Sequence, residues 1–102
     1  MNINKMMKEA QKMQAKMTKM QEEMKERVLE TEAGGGMIKL SINGERKITA
    51  LKIDPEAVDP DDVTMLEDLI IVAVNSAIDK IGEFEQEELG KITGGMKIPG
   101  MF

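Results

Sequence analysis

Apolar residues near the start of the chain recur at Ile3, Met6, Ala10, Met13, Met17, Met20 and Met24, with spacings that alternate between three and four. That 3.5-residue repeat, filled in with Gln, Glu and Lys, predicts a long amphipathic helix from about Asn4 to Glu26. From Val28 the pattern changes to alternating and β-branched residues, the mark of strands, and Gly34-Gly35-Gly36 marks a turn. A second strand is expected over Met37 to Ile42. Asn43-Gly44 predicts a two-residue type I′ hairpin, because both residues tolerate positive φ. That loop would set Ile42 opposite Glu45 and place Ile38, Leu40 and Ile42 on one sheet face with Thr49, Leu51 and Ile53. Asp54-Pro55 closes the third strand. Asp59-Pro60-Asp61-Asp62 then reads as a helix start, with Asp59 as the cap, Pro60 in the first turn and acids at the positive dipole end. The second helix is expected to reach about Leu89. The chain is therefore read as an α+β protein of one domain, residues 1–92, built as α-β-β-β-α on a three-stranded antiparallel sheet. Residues 93–102 lack periodicity and read as a flexible C-terminal tail.

Two features of this plan do not balance within one copy. The second helix is apolar around most of its circumference between Leu66 and Ile81, yet a three-stranded sheet covers only one side of it. The first helix, about 35 Å long, outruns strands of about 20 Å and leaves much of its Met seam beyond the sheet. A homodimer is the economical remedy. Met13, Met17, Met20, Met24, Leu66, Ile70 and Val74 are the expected interface residues.

Composition narrows the chemistry. The 102 residues contain no His, Cys, Trp or Tyr. Zinc sites of the usual kinds, Ser-His-Asp and Cys-His nucleophiles, disulfides and haem ligation by His or Cys are excluded. An enzyme is the weakest reading, and no cofactor, metal or small-molecule substrate is expected. Asp54, Glu56, Asp59, Asp61 and Asp62 lack the grammar of a calcium loop and read as turn and capping residues. Gly90-Lys91 fails as a phosphate loop, since Glu85 and Ile92 stand where Gly and Ser or Thr are required. The longest apolar run, Leu69 to Val74, is too short for a membrane span. The absence of Cys and the Lys-studded start fit a reducing cytoplasm, with no membrane partner.

Charge changes the picture most. Fourteen basic residues against nineteen acidic give a net charge of -5, which by itself argues against nucleic acid. The charge is nevertheless segregated. Residues 1–20 hold Lys5, Lys8, Lys12, Lys16 and Lys19 against Glu9 alone, for +4, and everything after them sums to -9. On a helix those five lysines fall within an arc of about 80°, roughly 120° around from the Met seam. A one-sign stripe of that kind can track a phosphate backbone. It reads bases poorly, with only two Arg and two Phe in the chain to supply bidentate or stacking contacts. Duplex binding with low sequence specificity is the expectation.

The segments together resemble the YbaB/EbfC family of small bacterial nucleoid-associated proteins. The resemblance is carried by MMKEAQKMQAKMTKMQEEM from Met6, Gly34-Gly35-Gly36, Ile42-Asn43-Gly44, Ile53-Asp54-Pro55, Met65-Leu66-Glu67-Asp68-Leu69 with Asn75, and the ending Met-Lys-Ile-Pro-Gly-Met-Phe. It implies a tweezer-shaped homodimer in the cytoplasm and nucleoid that binds double-stranded DNA and alters its conformation. The implied roles are nucleoid organisation, gene regulation and DNA protection. The rival is a chaperone or adaptor resembling prefoldin subunits, which would require matched, exposed heptads on both helices.

Overall fold

The structure, a computed structural model, describes residues 2–94. The Met-periodic segment forms one helix, α1 (Ile3–Glu26), whose first turn is capped by Asn2: its side-chain oxygen accepts from the Lys5 backbone N–H at 3.3 Å. A single extended residue, Arg27, separates it from β1 (Val28–Ala33), which pairs antiparallel with β2 (Ile38–Asn43). Gly34, Gly35 and Gly36 between them all hold positive φ, at 62°, 67° and 92°. Such a run suits glycine alone.

The second hairpin departs from the expected two-residue loop. β3 (Ile48–Ile53) pairs with β2 so that Ile38 faces Ile53 and Leu40 faces Leu51, and a bulge at Ser41/Ile42 then brings Ile42 opposite Ile48 rather than Glu45. The Asn43 side chain closes a longer loop, accepting from the Glu45 and Lys47 backbone N–H groups at 2.9 and 3.0 Å, while Arg46 takes the positive φ of 62°. Gly44 has a different reason to be glycine. Its N–H donates to the Arg27 carbonyl at 3.0 Å, and a Cβ there would overlap the Met24 carbonyl at the end of α1. Ile38 pairs with Ile53 instead of Thr49, an even displacement, so Leu51 and Ile53 still share a face with Ile38 and Leu40.

The second helix also starts later than expected. Asp59-Pro60-Asp61-Asp62 forms a turn, with the Asp59 carboxylate accepting from the Asp61 N–H at 2.9 Å, and Asp62 caps α2 (Val63–Thr93) by accepting from Met65 N–H at 3.3 Å. Asp54 likewise caps a short 3-10 turn at Pro55–Ala57. Three of the clustered acids are thus held by local backbone N–H groups. α2 runs past Leu89 to Thr93, where Gly94 ends it in the left-handed conformation. Residues 95–102, the rest of the expected tail, lie outside the described residues.

α2 lies chiefly over β1 and β2. Ala73, Ala77 and Ile81, one ridge at i+4 spacing, are fully buried against Ile38, Leu40 and Ile42. The two alanines let the helix backbone come close enough for the Thr31 hydroxyl to donate to the Ala73 carbonyl at 3.2 Å. The other end of α2 turns back along α1, where Phe84 packs against the core and under the Arg27 guanidinium, 5.0 Å from ring centroid to charge. The molecule measures 70 × 25 × 16 Å. A compact chain of this length would have a radius of gyration of about 13 Å; the observed 19.4 Å reflects the projecting α1.

Candidate nucleic-acid interface

Helical periodicity fixes where the five lysines stand. Lys5, Lys8, Lys12, Lys16 and Lys19 are all exposed on α1, on one arc, along about 21 Å of helix. Ion pairs among the described residues are Arg46–Glu85 at 3.2 Å and Lys91–Glu88 at 3.0 Å, so none of the five is in an ion pair. They divide into two groups. Lys16 and Lys19 line a shallow groove with Met20, Glu23, Glu88, Lys91 and Ile92, where the end of α2 meets α1. Lys5, Lys8 and Lys12 stand beyond that groove, on the free part of the helix. Lys91 as a neighbour of the stripe escapes the sequence pattern, which ends α2 too early; a Lys in the last turn before Gly94 is the available signal.

The seven interface candidates do not share one environment. Met24 is only 6% exposed and belongs to the protomer core. Met13, Met17 and Met20 are half-buried, and Leu66, Ile70 and Val74 are half-buried with their packed sides on the core. More exposed apolar side chains of the sheet-and-α2 body lie elsewhere, among them Ile48 and Leu51 on β3, which α2 leaves largely uncovered, and Ile71, Val72 and Ile78 on α2. Ile71 and Ile78, seven residues apart, share one helix face.

The protein thus joins a basic helix face to an acidic body that has a bare apolar flank. Residues 1–96 match the model of the YbaB/EbfC DNA-binding family. The chain belongs to that family. A nucleoid-associated protein of Desulforamulus reducens is 55% identical over 101 residues, covering 99% of this chain and 96% of the relative. A nucleoid-associated protein of Pelotomaculum thermopropionicum is 48% identical over the same length and the same shares. The crystal structure of the uncharacterized protein HP0035 from Helicobacter pylori covers 92% of this chain and 99% of its own with a TM-score of 0.77 at 20% identity, which establishes the shared fold. YbaB/EbfC is a family of DNA-binding, nucleoid-associated proteins and not of enzymes. Among the described residues, no helix is long and apolar enough to cross a membrane.

Proposed function

We propose that this YbaB/EbfC protein binds double-stranded DNA as a homodimer, with low sequence specificity, through phosphate contacts from Lys5, Lys8, Lys12, Lys16 and Lys19, and that it changes the shape of the DNA it holds. It acts in the cytoplasm at the nucleoid, in nucleoid organisation, gene regulation and DNA protection. The observation that carries the reading is the segregation of charge in space: five exposed lysines on one arm, none in an ion pair among the described residues, joined to a body that carries the opposite sign. The body repels DNA and the arm attracts it, so the sign of the whole chain decides only which surface touches the duplex.

Dimerisation follows from the uncovered apolar flank. Leu51 is 48% exposed and Ile71 55%, on a body otherwise rich in charge, and a second copy that lays its α2 against this β3 would cover both at once. The outer edges of Leu66, Ile70 and Val74 complete that surface, and the half-buried Met13, Met17 and Met20 adjoin it along α1. Two arms then project from one body, as tweezers.

Replacing Lys5, Lys8 and Lys12 together by Glu should abolish retention of duplex DNA in a gel shift while leaving the circular dichroism spectrum unchanged. Retained affinity would remove the stripe from the mechanism. With five phosphate contacts per arm, log affinity should fall against log salt with a slope of about -4.5 for each arm engaged. A flat response would be incompatible with backbone contacts. The dimer is checked by sedimentation, where Leu51→Asp should give the monomer mass with the helical spectrum kept.

A further inference from the structure

Nothing among the described residues of one copy calls for a glycine at position 82. Glycine weakens the interior of a helix relative to alanine, yet Gly82 stands well inside α2, and a Cβ added there would meet no described atom within 4 Å. At about 100° per residue it shares an arc of about 40° with Ile71, Ile78 and Leu89. That flank of α2 looks toward the β3 side of the sheet. Arg46, from the β2–β3 hairpin, reaches Glu85 at its edge, whereas Lys80, about 160° round from Gly82, donates to the Glu30 carbonyl of β1 at 2.7 Å. Ile71 and Ile78 are 55% and 44% exposed on it, and Ile78, Gly82 and Leu89 line a groove of about 490 Å³ together with Arg46, Asp79 and Glu83.

We propose that this flank is where the α2 of a second copy crosses, and that Gly82 is the point of closest approach between the two helix backbones. The crossing rests on the homodimer reading above and sets the geometry of that dimer. A partner α2 laid over β3 lies alongside the flank, so covering Leu51 and covering Ile78 are parts of one event. The occupant is a second copy because the flank complements itself. It carries a projecting Ile78 one turn from the hollow at Gly82, and it carries both signs of charge: Arg46 gives one guanidinium nitrogen to Glu85, while Asp79 and Glu83 are in no ion pair among the described residues. A two-fold axis lets each copy offer its Arg46 to the acids of the other and its hollow to the other's side chains. A duplex would meet more acids than bases here. Phe84, two residues beyond Gly82, packs beneath Arg27 at the root of α1. The separation of the helices at Gly82 therefore sets how far apart the two arms begin.

Gly90, also inside α2 with nothing described within 4 Å of an added Cβ, but about 80° round from Gly82, is the control. In an isolated protomer, Gly82→Ala and Gly90→Ala should both raise helix content. In sedimentation, Gly90→Ala should dissociate as the wild-type dimer does. Gly82→Ala should raise the dimer dissociation constant roughly tenfold or more, and Gly82→Leu should run at the monomer mass with the helical spectrum kept. The sign decides, since a larger apolar side chain in a loose contact would tighten the dimer instead. The crossing is overturned if Gly82→Leu dimerises as well as the wild type or better, or if Gly90→Ala weakens the dimer as much as Gly82→Ala. Leu51→Asp separates the two readings. A wild-type dimer that Leu51→Asp breaks and Gly82→Leu leaves whole loses only the crossing at α2; a wild type at the monomer mass leaves the flank to a different partner and overturns the homodimer with it.

Discussion

Met6 and Met24 stand eighteen residues apart on α1, five full turns, and so project from the same face of the same helix. Met24 is 6% exposed and Met6 is 52% exposed. The repeat that places both is unbroken, and the difference arises from what lies opposite: Ile42, Phe84 and the body of α2 at one end, and at the other no part of the core among the described residues. Two regions of one helix are therefore stabilised by different means. The inner part is held by packing, while the outer part rests on helix propensity and the Asn2 cap. A seam of constant pattern thus serves as core over one stretch and as a free surface over the next. Stability belongs to the body and binding to the arm, and substitutions can test that separation.

The body should show the greatest loss. Leu40 is 2% exposed beneath the ridge of Ala73, Ala77 and Ile81. Leu40→Ala removes buried methyl groups at a site that α2 cannot collapse to fill, at a cost of about 2–5 kcal/mol. In thermal denaturation this should lower the midpoint by roughly 10 °C or more, on the basis of about 4–8 °C per kcal/mol for a domain of this size. DNA affinity at low temperature should be unchanged. A variant that kept its midpoint would show that the sheet-to-α2 layer is not what holds the body together.

Gly44→Ala strikes the joint between the two regions. The new methyl would meet the Met24 carbonyl, a backbone atom that cannot swing aside, so the hairpin and the end of α1 must separate. Overpacking of this kind costs about 1–3 kcal/mol. Because the Arg27 carbonyl loses its donor from Gly44, the variant should also show faster amide exchange over the last turn of α1, with protection of β1 and β2 retained. Equal loss across the whole sheet would contradict a joint that can fail by itself.

Much of this organisation is legible in the chain itself, and Gly44 shows why the rest is not. The three-and-four spacing of the Met residues, the alternation in β2 and the switch between periods are local signals, so α1, the sheet and its inner face follow directly from them. Asn43-Gly44 also carries a local signal, but its use is not local: Asn43 closes a longer loop with its side chain, and Gly44 answers to the far end of α1, across the whole of β1 and β2. The sequence pattern places the start of α2 three residues early because Asp59 has the chemistry of a cap, but Asp59 closes the turn at Pro60 instead and leaves the capping to Asp62. The lysine arc requires nothing but helical geometry. How far the arm stands free depends on where α2 ends against it: Lys91 and Gly94 mark that late stop locally, but nothing local says which part of α1 it will meet.

On the arm, a single substitution should move binding and leave stability alone. Lys12 is exposed, unpaired and in the middle of the free stretch. Lys12→Gln keeps the helix and removes one phosphate contact, so the salt slope should become shallower by about 0.9 per arm. The denaturation midpoint should not shift, since surface substitutions away from packed features usually stay within about 0.5 kcal/mol. A midpoint shift equal to that of Leu40→Ala would erase the division of labour between arm and body.

The contact between Arg46 and Glu85 looks structural and contributes least. The Arg46 guanidinium, at the tip of the β2–β3 hairpin, reaches the Glu85 carboxylate of α2 at 3.2 Å and is the one ion pair that ties sheet to helix among the described residues. The side chains are 54% and 43% exposed, so water screens the pair and fixing two long side chains offsets much of the attraction. Arg46 also holds a positive φ of 62°, a strain that any residue other than glycine would share. Arg46→Ala loses the pair and keeps the strain, and should cost about 0.5 kcal/mol or less. Arg46→Gly loses the pair and relieves the strain, and should come out at or above the alanine variant in stability, despite the greater freedom of its unfolded chain. Denaturation curves of the two variants, compared at low and high salt, separate the terms: a salt-dependent gap between wild type and alanine measures the ion pair, and a salt-independent gap between alanine and glycine measures the backbone. If the alanine variant lost several kcal/mol instead, the hairpin would be held to α2 by charge, and the body would owe part of its stability to the kind of interaction that the arm reserves for binding.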